Sequence, residues 1–248
     1  MSARAWRPWA VALALTVLSA APALAQSVTL DLGSEGGSTT GRIIELVALL
    51  TVLSLAPAIL VTVTSFTRIV VVLSFLRNAL GLQQTPPNIV LISLALFLTG
   101  FIMSPTIEKS YNDGIAPLIA EKMPQDEALA RAAAPLHDFM TAHVRGHDLQ
   151  LFAGIAKLDV AVEAKDVPFR VLVPAFMISE LRRAFEIGFL LFLPFLVIDI
   201  VVSSILMSMG MMMLPPVTIS LPFKLIFFVL VDGWYLVAGS LVQSFGPG

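Results

Sequence analysis

Long uncharged stretches separated by short polar breaks dominate the pattern of this chain. Residues 43–76 are apolar almost throughout, interrupted by Pro57 and Arg68. No charged residue occurs in 78–107 or in 200–223. Each of these two runs exceeds the roughly 20 apolar residues that carry a helix across a bilayer. Two further apolar segments follow at 187–206 and 221–243, and the first of them is interrupted by Pro194 and Asp199. Proline removes a backbone donor and crowds the preceding turn, so kinks are expected wherever it falls inside these runs. The pattern predicts an all-α polytopic membrane protein. It has four long hydrophobic, kinked helical segments and a small helical extramembrane domain between the second and the third.

The chain opens with Arg4 and Arg7, a short apolar core from Ala10 to Leu18, and Ala23-Leu24-Ala25 before Gln26. That order fits a cleavable signal peptide over 1–25 and places the mature N-terminus outside the cytoplasm. Residues 26–42, rich in Gly, Ser and Thr, read as a flexible lead-in. Residues 43–107 form a first helical hairpin holding segments 1 and 2, with breakers Gly81 and Pro86-Pro87 near their connection. Arg68 lies deep in this hairpin, beside Thr62, Thr64, Ser65 and Thr67. An arginine at such depth either faces protein or a wet cavity, or snorkels to the interface.

Residues 108–185 change character: charges become common and Pro117, Pro124, Pro135 and Pro168 cut the stretch. A polar, mostly helical periplasmic domain is expected. Asp126 and Glu127 after Pro124 suit a helix start. Leu136, Phe139, Met140 and Val144 recur at helical spacing. Phe139 and Phe152 are core candidates that, in an oligomer, could also pack between subunits. His143 and His147 stand four apart, a spacing that can hold a metal on one helix, but Gly146 weakens such a helix and no catalytic Glu accompanies them. Solvated histidines are the default, and no metal ligand is assigned.

In 174–189, Ala175, Ile178, Leu181, Phe185 and Phe189 make an apolar stripe, with Glu180, Arg182, Arg183 and Glu186 between them. Glu180 with Arg183 and Arg182 with Glu186 have the spacing of pairs on one helix, or can bond to neighbouring subunits. Residues 186–248 form a second helical hairpin. Asp199, with Ser203 and Ser204 one turn on, and Asp232, beside Gly233-Trp234, are acids within apolar runs, and Lys224 is the lone base between them. The loop 207–216 reads Met207-Ser208-Met209-Gly210-Met211-Met212-Met213-Leu214-Pro215-Pro216. Gly210 and the two prolines stop a helix there. Methionine is soft and unbranched, so the loop is either a deformable plug at the mouth of a passage or a hairpin turn whose methionines fill gaps.

Composition narrows the function. Of 248 residues 57% are hydrophobic and 13% charged, about half the usual charged fraction, and mean hydropathy is +0.91. A net charge of −2 gives no reason to expect nucleic acid. The absence of cysteine removes disulfides, thiol catalysis and cysteine metal sites. Neither a phosphate-binding G-x-x-x-x-G-K-[ST] nor a G-x-S-x-G is present. An enzyme would have to rely on Asp199 and Asp232 as an acid pair. A solute transporter with broken helices would suit the Pro-interrupted segments, though no internal repeat accompanies them.

Three stretches together resemble the flagellar biosynthetic protein FliP family: residues 174–189, Leu221-Pro222-Phe223-Lys224-Leu225 with Asp232-Gly233-Trp234, and the methionine loop. The resemblance spans about 40–245. It implies a structural, non-enzymatic subunit without cofactor, in the export gate of a type III secretion system at the flagellar basal body in the bacterial inner membrane. It implies a pentameric ring joined by FliQ and FliR, passage of unfolded flagellar proteins, and contact with lipid and other export components. Much of such an assembly sits on the periplasmic side. Met209, Met211, Met212 and Met213 would be gate residues, and Arg68, Glu180, Arg182, Arg183, Glu186, Asp199, Lys224 and Asp232 would make subunit contacts or a polar network. Injectisome export proteins share the family, so an injectisome gate is the alternative.

Overall fold

A computed structural model of the chain describes residues 39–158, 166–211 and 214–246. The expected signal peptide, residues 26–38 of the expected lead-in, and the gate candidates Met212 and Met213 lie outside the described residues. The described residues are helical, with no strand among them: α1 (Thr39–Val63), α2 (Phe66–Ala79), α3 (Asn88–Ser110), α4 (Ala116–Ile119), α5 (Gln125–His143), α6 (Gly146–Ile155), α7 (Phe169–Ser208), α8 (Pro216–Leu230) and α9 (Gly233–Gln243). A π-helical turn, Tyr111–Ile115, joins α3 to α4. The chain divides into two units, Met1–Val52 and Leu53–Gly248. The packing described below belongs to the second.

Asn88–Ile119 and Phe169–Ser208 are long and apolar enough to cross a membrane. The pairs Leu46–Leu55 with Pro57–Val63, and Pro216–Leu230 with Gly233–Gln243, have the bend of a broken span or a re-entrant loop, the second bent by 63°. The first apolar stretch, expected to run from 43 to 76, is two helices, and helix α1 already begins at Thr39 inside the expected lead-in. Hydroxyls explain the break. Thr62 Oγ1 donates to Ile59 O (3.0 Å), Thr64 Oγ1 to Leu60 O (2.6 Å) and Thr67 Oγ1 to Val61 O (2.7 Å). Side chains that bond to the backbone this way compete with the helical ladder, and the chain restarts at Phe66.

Helix α7 is the spine. Its 40 residues extend about 60 Å, twice the thickness of a bilayer's hydrocarbon core. It passes without a break through 185/186, where the sequence predicts a change from polar domain to membrane hairpin, and Pro174 and Pro194 do not interrupt it. Its buried face is Leu172, Ala175, Phe176, Ser179, Glu180, Ala184 and Gly188. The stripe predicted from sequence points largely the other way: Ile178, Phe185 and Phe189 are exposed, and of that stripe only Ala175 is fully buried. From Ser179 to Gly188, small and polar residues thus face the helices of the chain while Phe185 and Phe189 face outward, the arrangement expected where the surroundings are lipid or partner helices rather than water; Leu172, Phe176 and Phe195 of the same helix are buried in the two clusters.

Two hydrophobic clusters form around this spine. One gathers Ile69, Val72, Leu73, Leu76 and Ala79 of α2 with Leu91 and Ala95 of α3, Ala184 and Phe195 of α7, Phe228 of α8, and Val237 and Leu241 of α9. The other gathers Met140 of α5 with Val167, Val171, Leu172 and Phe176, and is flanked by Phe139, Val144 and Phe152. Phe139 and Met140 therefore lie on the inward face of α5, as their spacing predicts; Leu136 is half-buried outside both clusters, and Val144 reaches the second cluster from the extended residue that ends the helix. Close approach fixes the rest. A Cβ on Gly188 would lie 2.6 Å from the Phe75 ring, and one on Gly114, in the π turn, 2.5 Å from Ala132 N and 2.6 Å from Ala128 O of α5.

Gly114→Ala should destabilise the protein by about 1–3 kcal/mol, because backbone on α5 has to yield. Gly100→Ala, at a helical site open to space within 4 Å, should be neutral or stabilising by up to about 1 kcal/mol. Thermal unfolding in detergent measures both, and equal midpoints for the two variants would refute this packing.

Candidate functional site

The polar residues that sequence places in apolar surroundings fall into two buried clusters and one exposed loop. In the first cluster α2 brings Arg68 against Glu180 of α7. Arg68 is 1% exposed and Glu180 is fully buried. Arg68 Nε donates to Glu180 Oε2 at 2.9 Å and Nη2 to Oε1 at 2.5 Å, a bidentate fork. Its Nη1 donates to the carbonyl oxygen (3.1 Å) and hydroxyl (2.9 Å) of Ser244, just past α9. The Arg68 guanidinium carbon also lies 3.6 Å from the centroid of the Phe245 ring. Arg68 does not snorkel: its charge is neutralised inside the chain. Glu180 is accordingly not the partner of Arg183 that local spacing predicts, because the burial of its face turns it toward α2.

The second cluster joins α7 and α8. Lys224 Nζ donates to Asp199 Oδ2 at 2.7 Å and to Ala79 O at 3.0 Å. Ala79 is the last residue of α2, so the ammonium caps a helix end whose carbonyls lack intrahelical partners, where positive charge is favoured. Ser220 Oγ donates to Asp199 Oδ1 at 2.5 Å. Asp199 thus takes its partners from α8, not from Ser203 and Ser204; Ser204 Oγ bonds to Ile200 O instead. A base one helix away supplies charge as well as a hydrogen bond, which a serine on the same helix cannot.

Other candidates lie outside these clusters. Arg182 and Glu186 pair at 3.0 Å on the exposed face of α7, where such pairs contribute little. Asp232 is exposed at the α8–α9 bend with φ of 51°, and its side chain joins no hydrogen bond or ion pair among the described residues, so it does not belong to an internal network. Asp199 and Asp232 do not form an acid pair in this chain. His143 closes α5 and His147 begins α6 beyond a break at Val144–Arg145, so their spacing does not place them on one helical face. His143 Nδ1 pairs with Phe139 O at 2.8 Å. Phe139 and Phe152 pack within the chain's own second cluster.

Reasoning from sequence missed Asp148 and Ser179. Ser179 Oγ donates to Asp148 Oδ2 at 2.7 Å and accepts from Arg145 N at 3.1 Å, which ties the start of α6 to α7. The Ser179 hydrogen bond, more than any other influence, holds the Asp148 carboxyl below the usual carboxylate range. An acid in the first turn of a helix was the available signal.

The methionine loop ends α7 in a Schellman turn: Met211 N bonds to Leu206 O and Gly210 N to Met207 O, each at 3.0 Å, with Gly210 at φ +77°. Helix α8 restarts at Pro216. Met207, Met209 and Met211 are 57%, 64% and 45% exposed. Side chains that filled gaps between helices of this chain would be buried.

The chain matches the FliP family over residues 49–241. It is 59% identical to the flagellar biosynthetic protein FliP of Caulobacter vibrioides, over 96% of this chain and 89% of that protein. It is 57% identical to that of Bacillus subtilis, over 82% and 91%, and 52% identical to that of Agrobacterium fabrum, over 93% and 97%.

Glu180→Leu leaves Arg68 buried without its partner and should destabilise by about 3–5 kcal/mol, whereas Arg68→Met combined with Glu180→Leu should recover most of that loss. Denaturant titration of the three variants measures it, and a double variant worse than the single would contradict the assignment. Because the Asp148 carboxyl is depressed in the folded chain, its contribution is complete above its unfolded value of about 3.9 and is lost as pH falls through the lower folded value. Asp148→Asn should flatten the acid limb of stability against pH.

Proposed function

The chain belongs to the FliP family, and from that premise we propose that it is a structural, channel-forming subunit of the flagellar type III protein export gate. In this reading several copies, five by the family's resemblance, form a ring joined by FliQ and FliR in the inner membrane. Unfolded flagellar proteins pass through it, and residues 108–185 lie on the periplasmic side. Relatives carrying flagellar names support the flagellum over an injectisome.

The observation that carries the reading is the exposed tip of the α7–α8 hairpin. The uncharged, flexible thioether side chains of Met207, Met209 and Met211, which their own chain leaves uncovered, suit closure against copies of the loop. A passage wide enough for a polypeptide leaks ions when empty. A methionine ring can close on itself by dispersion and part without breaking any strong bond. Met209, Met211, Met212 and Met213 are the gate residues of this reading. Buried charges serve the same end: with Arg68 and Asp199 neutralised inside, the outer faces of α7 beyond Glu186 and of α8 stay apolar for partners and lipid. The exposed charges Arg182, Glu186 and Asp232, and the accessible edges of Phe139 and Phe152, are candidate contacts between copies.

Alanine at Met209, Met211, Met212 and Met213 should raise ion conductance across the inner membrane while the ring still assembles, and leucine, which conserves volume, should raise it less. Membrane depolarisation and complex recovery are followed in the same cells. An intact complex with no added leak would move the seal elsewhere and return the loop to a packing role.

A further inference from the structure

The segment after α9 reaches both hydrophobic clusters. Ser244 N bonds to Ser240 O at 2.9 Å, Phe245 N to Val242 O at 3.2 Å and Gly246 N to Gln243 O at 3.0 Å, so a hydrogen-bonded turn rigidly presents two residues. Ser244 takes the Nη1 group of Arg68 with its carbonyl and hydroxyl oxygens, and that hydroxyl in turn donates to Leu241 O at 2.7 Å. Without Ser244, one arm of a buried guanidinium would have no partner, a penalty that falls on the whole Arg68–Glu180 pair.

Phe245 lies on the other side of that guanidinium and continues into the extramembrane helices. Its ring stacks on Phe139 at 6.1 Å and 18°, and meets His143 at 5.3 Å. Phe139 in turn meets Phe176 of α7 edge-on at 6.0 Å. The result is one continuous column, Arg68–Phe245–Phe139–Phe176, in which cation–π and aromatic contacts follow one another. Phe245 also packs on the cluster that holds α2, α3, α8 and α9. No other contact in the column belongs to both clusters.

We infer that Ser244 and Phe245 are a clasp: they fix the far end of the α8–α9 arm to α5 and to the Arg68–Glu180 pair. The clasp is the stationary end of that arm. Its other end, the methionine loop, has no buried ion pair among its described residues and turns through Gly210. Ser220 and Lys224 hold the first half of α8 to Asp199 and Ala79, so motion is confined to the loop ahead of them, and the joint between the two clusters holds still. This inference concerns the arm's anchorage and stands whether or not the methionines seal a pore.

Amide hydrogen exchange on the full chain in its purified complex tests it. In Phe245→Ala, exchange in the last turns of α5 (Phe139–His143) and in α2 around Arg68 should rise about tenfold, while α3 and the start of α7 keep their protection. Should Phe245→Ala fail to assemble, Phe245→Leu, which keeps apolar volume and removes the ring, should show the same pattern with a smaller rise. Phe245→Tyr, which keeps the ring, should restore protection. Unchanged exchange in α5, or a loss spread evenly over all helices, would overturn the clasp.

Discussion

The bidentate pair between Arg68 and Glu180 constrains everything around it. Two opposite charges with almost no exposure persist only when each donor and acceptor is matched, because a buried charge without a partner costs far more than an unmade surface contact. That requirement fixes the register of α2 against α7, the longest helix. With the register fixed, Ala184 and Gly188 lie where α2 can approach closely, and Phe75 can sit where a Cβ on Gly188 would be. The same requirement draws in Ser244, and so fixes where α9 ends.

The second pair repeats the logic at another junction. Lys224 joins Asp199 on α7 to the last carbonyl of α2, so one ammonium ties three helices together. Between them the two pairs hold α2, a short helix of 14 residues, near each of its ends. Such pairs contribute more to register than to net stability, since their desolvation offsets much of the attraction. Apolar packing alone would define register poorly in this chain. Its helices carry large apolar residues on both faces, so a rotated packing would bury nearly as much surface.

This explains what was legible beforehand. Helix content, the bend at Pro57, the inward Phe139 and Met140 of α5 and the interruption at Gly210 and Pro215–Pro216 follow from local chemistry and are legible in the sequence, whereas the kinks expected at Pro174 and Pro194 do not break α7. The motifs at 174–189 and 221–234 pointed to the family for the same reason. Pairing did not follow from local chemistry. Glu180 was matched with Arg183 by helical spacing, but its partner lies 112 residues away. Asp199 was matched with neighbouring serines, although its partners stand on the next helix. The stripe through Ile178, Phe185 and Phe189 is visible in the sequence, but the direction it faces is not: by the rule for water-soluble helices it would turn inward, and it is exposed. Where the surroundings are apolar the rule inverts, and the smaller, more polar face is the inner one. The break after Val63 was hidden because Thr62, Thr64 and Thr67 look like ordinary helix residues until their hydroxyls bond to the backbone.

The distribution of stiff and soft contacts follows from these assignments. In the proposed gate reading, a subunit has to keep its ring intact while one part of each copy yields to a passing polypeptide. In this chain the contacts that tolerate least displacement, charge-assisted hydrogen bonds and stacked rings, lie along α2, the middle of α7, the Lys224 turn of α8 and the end of α9. The contacts that tolerate most, dispersion between unbranched thioethers, lie at the α7–α8 turn, where a left-handed glycine already ends the ladder. A charge in that loop would bind water and ions and keep a passage wet. A branched or aromatic residue would close it only in one shape. Methionine avoids both, and the proposed seal depends on the polar residues that align the helices lying elsewhere, neutralised within the chain.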